Sequence, residues 1–513
     1  GWDKNRKVYM EFGIDYNRTF GLHKTTALIL YNQSKYYSPS LQYYVPNAYQ
    51  GLVGRLTYEY ASRYLAEFNM GYNGTENFAK GKRFGFFPAV SLGWVISEEK
   101  FFPKNNIVKY LKVRGSYGEV GNDQIGGDRF LYLPSSYGAA SDSGVNKYNF
   151  GLASNPYTSL MIVENKIGNP DLTWEKAKKM NVGVDINLFN NCLTASFDIF
   201  KEKRNNILAN RSTSPMIIGA NLPAYNFGEM ENRGWEMDLN FRHHIQDFHY
   251  WARFNYSFAR NEIIYMDEVQ KRYDYQMTTG RRKNQFFGLI FDGYYNSWEE
   301  INALDRPKSS WSGNQLQPGD VKYIDVNQDG VIDDYDMVPI GYTPVPEIIY
   351  GFSFGAQYKG FDFSILFQGA DNVSIKYFGR SMWPFAKGEE SAKSLIKERW
   401  TQERYEAGEK ITFPRLSLNP NGETDHNYRP STLWIRDASY LRLKNLEVGY
   451  TFTGGFVKRL NLNSVRLYFN GSNLFTWTDV VDLDPEAPSR SGNVEINTYP
   501  LQKVYNIGLN INF

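Results

Sequence analysis

The densest set of metal-binding residue types lies in Asp325-Val-Asn327-Gln-Asp329-Gly330-Val331-Ile-Asp333-Asp334-Tyr-Asp336. Oxygen donors fall at positions 1, 3, 5, 9 and 12 of this run, a glycine at 6 permits a sharp turn, and the Val331 carbonyl occupies position 7. A hard cation such as Ca2+ wants six or more oxygens in this arrangement. The run ends in Asp336, whose shorter side chain is a less assured bidentate ligand than the glutamate of an EF-hand. The expectation is a structural Ca2+ held by Asp325, Asn327, Asp329, Val331, Asp333 and Asp336. The plainer alternative is a metal-free turn built from Asx side chains.

Other groups offer less chemistry. Of five histidines only His243 and His244 are adjacent, which gives no spaced ligand set. The pairs Glu98-Glu99, Glu299-Glu300 and Glu389-Glu390 are sequence neighbours whose side chains diverge in extended chain, so they are poor acid/base partners. With no nucleophile motif, P-loop or dinucleotide fingerprint, the sequence predicts no catalytic site, and an enzymatic reading as a β-rich glycosidase lacks a recognisable carboxylate pair. Trp298, Trp311, Trp383 and Trp477 have flat faces suited to a pyranose, or they pack loops or belong to an interfacial girdle. Glu390 to Trp400 carries Ala392, Leu395, Ile396 and Trp400 at helical spacing, which predicts a short amphipathic helix.

The elements that position these residues follow a two-residue period. In the last segment Tyr505, Ile507, Leu509, Ile511 and Phe513 alternate with Asn506, Gly508, Asn510 and Asn512, an amphipathic strand. The same pattern recurs over 348–358 and 361–368, joined at Lys359-Gly360, and near 6–20, 24–36, 50–61, 62–73, 82–97, 109–119, 174–189, 192–208, 227–242, 247–262, 438–453 and 464–477, fifteen strands in all. In the strand over 438–453, Leu441 and Leu443 fall out of phase with Leu446, Val448 and Tyr450, and a β-bulge at Lys444-Asn445 restores the phase.

Composition agrees with strands that show apolar groups on alternate positions only. The 513 residues include 39 Tyr, 35 Phe and 11 Trp, yet mean hydropathy is -0.52, and no apolar run is long enough for a membrane-crossing helix. The net charge of +2 gives no clustered basic excess of the kind that would argue for a nucleic-acid partner, and none is expected; the single Cys192 excludes a disulfide framework. Strands of this length exceed those of soluble sheets and match a tilted bilayer crossing. Connections alternate between tight (21–23, 190–191, 243–247, 359–360) and long (120–173, 263–345, 373–437, 478–501), as in a barrel with short periplasmic turns and long extracellular loops. The predicted fold is an all-β, antiparallel transmembrane β-barrel in a bacterial outer membrane, with 263–345, the calcium-loop segment, and 373–437 outside. A soluble β-sandwich that binds carbohydrate is the alternative.

Several segments then carry a resemblance. GIDYNRTFG (Gly13 to Gly21), Arg63-Tyr64-Leu65, FGFFPAVSLGWVISEEKFF (Phe84 to Phe102), NPDLTWEK (Asn169 to Lys176), PGDVKYIDVNQDGVIDDYD (Pro318 to Asp336), FPRLS (Phe413 to Ser417) and ASYLRLKNLEVGYTF (Ala438 to Phe452) together resemble the C-terminal barrel region of the SusC/RagA family of TonB-dependent outer-membrane transporters of Bacteroidetes. Phe513 resembles the terminal aromatic residue read by the outer-membrane assembly machinery. The resemblance implies a barrel of about 22 strands with a plug in its lumen, driven by TonB and paired with a SusD-like surface lipoprotein for import of glycans or, in some members, peptides. On that reading 1–513 is the C-terminal part of one barrel, with the N-terminal plug and about seven first strands lying elsewhere.

Overall fold

The structure, a computed structural model, describes residues 4–41, 45–124, 129–134, 138–139, 147–152, 157–160, 162–163, 167–213, 222–311, 316–377, 382–385, 394–417, 425–481, 483–486, 493–494 and 501–513. Fifteen long strands dominate it: β1 (Arg6–Phe20), β2 (His23–Tyr37), β3 (Asn47–Tyr60), β4 (Tyr64–Thr75), β5 (Phe84–Val95), β6 (Val108–Asn122), β7 (Glu175–Leu188), β8 (Leu193–Ala209), β9 (Tyr225–Ile245), β10 (Phe248–Tyr265), β11 (Ile348–Tyr358), β12 (Phe361–Asp371), β13 (Tyr440–Phe452), β14 (Ser464–Thr478) and β15 (Val504–Asn512). They follow in chain order in one fifteen-stranded sheet. All fifteen coincide with the strands that alternation predicts. The chain forms two compact units, Gly1–Ile186 with Asp198–Arg233 and Asn261–Val269, and Asn187–Phe197 with Gly234–Arg260 and Gln270–Phe513.

In the first unit the register sorts residue types by face. Phe12 and Ile14 pair with Tyr31 and Ile29, Tyr31 with Leu52, Leu52 with Tyr72, Tyr72 with Phe86 and Val90 with Tyr117. The intervening positions form a second row of Asp15, Arg55, Glu67, Asn69, Ser91 and Ser116. Because successive side chains leave a strand on opposite sides, one face is apolar and the other polar. A small core of Phe78, Phe87, Leu131, Leu172 and Trp174 closes the end that carries the longer connections, and the Trp174 indole donates to the Arg83 carbonyl at 3.2 Å.

The second unit repeats the sorting. Phe254, Phe352 and Phe367 lie in one row, as do Ile365 and Leu446, and Val448, Phe469 and Ile507. The opposite row carries Ser353, Ser364, Glu447, Asn470 and Asn506. Lys444 is the extra residue on β13: Leu366 opposes Asn445 and Phe367 opposes Leu443. On the other side Leu443 opposes Phe475 and Asn445 opposes Ser472. The predicted bulge is therefore present, and it returns Leu441 and Leu443 to the apolar row. Lys359 (φ 44°) and Gly360 (φ 89°) link β11 and β12. Two positive φ values define the type I′ turn that matches strand twist, and glycine meets the second without strain.

Some expectations shift. β9 runs on through Ile245, so the turn before β10 is the two residues 246–247 rather than His243 to Asp247. The Glu390 to Trp400 helix is only a 3-10 turn at Ser394–Glu398, and residues 390–393 lie outside the described set. Connection 120–173 contains a hairpin, Lys147–Phe150 paired with Tyr157–Leu160, that strand periodicity did not signal.

The long connections of the second unit build a module of their own. Its core gathers Leu289, Val321, Tyr323, Ile332, Val373, Ile375, Met382, Trp400, Phe413, Tyr428, Leu433 and Trp434. Leu289 and Val321 are fully buried. Short pairings tie its segments together, Phe291–Tyr294 with Val321–Tyr323 and Ser374–Tyr377 with Ile435–Asp437.

Candidate functional site: the loop module and the polar face

The predicted metal ligands occupy one tight loop of this module, and their oxygens turn back onto its backbone. Asp325 accepts from the amides of Gln328 (2.7 Å) and Gly330 (2.8 Å). Asn327 accepts from Asp329 N at 3.0 Å, Asp329 from Val331 N at 2.9 Å and Asp333 from Tyr335 N at 2.7 Å. Asp336 is fully buried and accepts from Val326 N and Asp333 N, each at 2.8 Å. Burial pushes the Asp336 carboxyl up, while those amides pull the other way. Among the described residues no group of three or more His, Cys, Asp and Glu converges as metal ligands do. Val331 pairs with Lys308 in a short parallel bridge. Two outside side chains brace the loop: Tyr275 Oη donates to the Tyr335 carbonyl at 2.6 Å and Gln276 Nε2 to the Asp334 carbonyl at 2.7 Å.

Sequence reasoning missed the buried polar latch beneath. Asp320, only 3% exposed, is ion-paired with Arg415, whose Nε lies 2.6 Å from one carboxylate oxygen and whose Nη2 donates to the other at 3.4 Å; it also accepts from Asn427 Nδ2 at 2.8 Å and from Gln317 N at 2.8 Å. Asn427 Oδ1 in turn accepts from Val321 N at 2.9 Å. The Asp of PGD thus meets the Arg of FPRLS, two motifs nearly a hundred residues apart in the chain. Gly319 makes the approach possible: its φ is +92°, and a Cβ there would lie 2.5 Å from the Trp400 ring and 2.7 Å from Arg415 Cβ. His426 completes the latch, with Nε2 2.8 Å from the Val321 carbonyl and Nδ1 3.0 Å from Ser309 Oγ. A carbonyl only accepts, so Nε2 carries the proton and Nδ1 accepts from the serine. Burial drives the His426 pKa down; the Val321 carbonyl and the carboxylates of Asp320 and Asp425 oppose this, and Arg306 adds to it.

The polar face of the sheet is lined by paired charges. In the first unit Arg114 donates to both Asp198 oxygens at 2.7 and 2.6 Å and to Asp185 at 3.1 Å. It borders a cavity of about 420 Å³ that also meets Lys24, Glu59, Glu67 and Lys112. In the second unit Arg466 donates to Asp362 at 2.9 Å and to Glu447 at 2.6 Å. Arg442, 2% exposed, donates to Glu486 at 2.6 Å, Asp484 at 2.7 Å and Thr476 at 2.9 Å. Tyr440 Oη donates to the other Glu486 oxygen at 2.7 Å. This binds the connection after β14 to the face of β13. Opposition of burial by the Arg442 hydrogen bond holds the Asp484 carboxyl low. Such a face suits wetted polar solutes and charged protein surfaces.

The tryptophans divide. Trp383 is buried in the module core and Trp311 packs beneath the Arg429 guanidinium at 4.1 Å. Trp298 and Trp477 are exposed. Glu98 pairs with Lys104 at 3.6 Å, Glu99 accepts from the Trp94 indole at 3.0 Å and Glu300 binds Lys322, so the neighbouring acids serve separate structural pairs. Glu389 and Glu390 lie outside the described residues.

Residues 2–474 match the family described as TonB dependent receptor-like, beta-barrel. The chain is similar to the TonB-dependent receptor SusC of Bacteroides thetaiotaomicron, 28% identical over 477 residues, covering 92% of this chain and 44% of that protein. It is likewise similar to TonB-dependent receptor P3 of Formosa agariphila, 28% identical over 479 residues, covering 90% of this chain and 45% of the relative. Among solved structures, that of the RagAB peptide transporter superposes with a TM-score of 0.73 at 21% identity, over 99% of this chain and 56% of that one. The chain spans about half the length of the curated relatives it matches.

Proposed function

The chain belongs to the TonB-dependent receptor β-barrel family, an outer-membrane family, and from that premise we propose that it supplies wall strands and outer loops of a nutrient importer of SusC/RagA type. The single observation that carries this reading is the two-faced sheet, with an apolar row for lipid and a charged row for an aqueous lumen, surmounted by a loop module with its own core. The long connections would face the outside and the short turns the periplasm. Family membership displaces the soluble-sandwich alternative.

The substrate we favour is a glycan or oligosaccharide, captured with a SusD-like surface lipoprotein and imported at the expense of TonB-transmitted energy. The exposed Trp298 and Trp477 offer flat faces for sugar rings. A peptide is the second reading, favoured by the likeness in fold to the RagAB peptide transporter. Affinity purification of the protein from envelopes in mild detergent, with mass spectrometry of bound lipoprotein and small molecules, separates them. Co-purifying oligosaccharide supports the first reading, peptides the second, and neither a lipoprotein nor a ligand contradicts both.

Calcium is proposed for the Asp325 to Asp336 loop as a structural ion. Occupancy requires Asp325, Asp329 and Asp333 to exchange backbone amides for the cation, with the Val331 carbonyl at the seventh position. Millimolar Ca2+ outside the cell suffices for a weak site. Raised thermal stability on Ca2+ addition, abolished in Asp325→Ala, is the expected result; an unchanged melting curve favours the metal-free turn.

A further inference from the structure

The turn between β9 and β10 gathers three of the five histidines in the chain. Ile245 ends one strand and Phe248 begins the next, so a two-residue turn sets His244 across from His249. Their rings lie 5.5 Å apart between centroids with planes 24° from parallel. His249 pairs with Gln357, while its neighbours Phe248 and Tyr250 pair with Tyr358 and Ala356. His244 and His249 therefore sit on the polar row, and both are exposed. His243 leaves the strand on the other side, where its Nδ1 lies 3.4 Å from Cys192 Sγ and its ring meets Tyr250 edge-on at 5.8 Å.

We propose that His244 and His249 form a two-imidazole site for a borderline divalent transition metal, Ni2+, Cu2+ or Zn2+, clipping the β9–β10 hairpin at its short-turn end. Neutral imidazole is a preferred ligand for these ions, and Cu2+ binds most tightly in the general order of affinity. A metal 2.0–2.1 Å from each nitrogen holds two ring centroids roughly 4.5 to 5.3 Å apart at the angles of octahedral or tetrahedral coordination. The observed 5.5 Å lies just beyond that range, and both rings are exposed. Water fills the remaining positions, since among the described residues no group of three or more ligating side chains surrounds a point. The hairpin turn fixes the separation before any metal arrives, so little ordering entropy opposes chelation.

The test uses the full chain in detergent micelles carrying Cys192→Ser, so that the thiol on the opposite face contributes nothing. Ni2+ titrated calorimetrically should bind one equivalent. His244→Ala or His249→Ala should weaken that binding on the order of tenfold or more, and His243→Ala should leave it unchanged. Far-UV circular dichroism checks that each variant keeps its strands. With Cu2+ in place of Ni2+, the paramagnetic resonance spectrum should show hyperfine coupling to two imidazole nitrogens. Undiminished Ni2+ binding in the His244→Ala/His249→Ala double variant, or no binding in the parent, would overturn the proposal.

Discussion

The loop module and the strands that carry it dispose of apolar surface in opposite ways. In the module, Leu289 and Val321 are completely buried and Phe413 nearly so, because segments from three connections close around them. On the strands of the same unit, Phe352 is 42% exposed and Leu467 48% exposed, although each sits in an unbroken apolar row. A water-facing protein of this size does not leave so extended an apolar face open. The module is finished by its own residues, and the strand face is finished by lipid. The difference teaches that membrane placement here is written in surface left uncovered, while the module owes its shape to contacts that water would permit anywhere.

Polar groups invert the comparison. On the strands, charges line one open face in pairs such as Arg466 with Asp362 and Glu447. In the module, polar groups such as Asp320 and Asn427 are deeply enclosed and hydrogen-bonded to each other and to backbone amides. The largest expected effect therefore lies in the latch. Asp320→Ala strands Arg415 and Asn427 without their acceptor and should cost about 3–5 kcal/mol, read as early proteolytic nicking of the long connections while the strand signal in circular dichroism persists. Loss of the strands together with the module would break the separation.

The two faces of one strand come next. Phe352→Arg places a charge on the lipid row and should cost about 2–4 kcal/mol near mid-bilayer, whereas Ser353→Arg, one residue on, should cost roughly 0–1 kcal/mol. Urea unfolding in vesicles measures both. Equal costs would mean that the rows do not face different solvents.

Smaller effects sharpen the account of the module. Gly319→Ala forces a side chain into a positive-φ position and against the Trp400 ring, which should cost about 1–3 kcal/mol, seen as a downward shift of the module's melting step. His426 supplies a pH dependence. Its pKa is depressed in the folded module, so its contribution is fully present above the ordinary value of about 6.5 and falls away as pH drops through the folded pKa, by at most about 1.4 kcal/mol per pH unit. The carboxylates of Asp320 and Asp425 soften the loss and Arg306 adds to it. Melting curves at pH 7.5 and pH 5 should separate for the parent and converge for His426→Gln, which keeps a donor and an acceptor without titrating.

The strands were legible because their signal is local. Alternation over ten residues, a tight turn and a return strand specify a hairpin without reference to anything distant, and even the Lys444 bulge showed as a slip of phase. The module was not legible, because Asp320 and Arg415 meet only after the chain has wound through other segments, and no period connects them. Their presence in PGD and FPRLS, two of the segments that carry the family resemblance, was the one signal in the sequence. The Asp325 to Asp336 spacing suits a cation, but spacing does not determine whether the carboxylates turn to a metal or to their own amides. The pairing of Arg442 with Asp484 and Glu486 left no sequence trace beyond an arginine in an amphipathic strand.

The central claim, that one row of the sheet meets lipid and the other water, is tested most directly by spin labels placed singly at 350 to 355 on β11 in the Cys192→Ser background, in bilayers. Collision with oxygen, which concentrates in lipid, should peak at 350, 352 and 354, and collision with a water-soluble nickel chelate should peak at 351, 353 and 355. Flat accessibility along the strand, or chelate contact at all six positions, would contradict it.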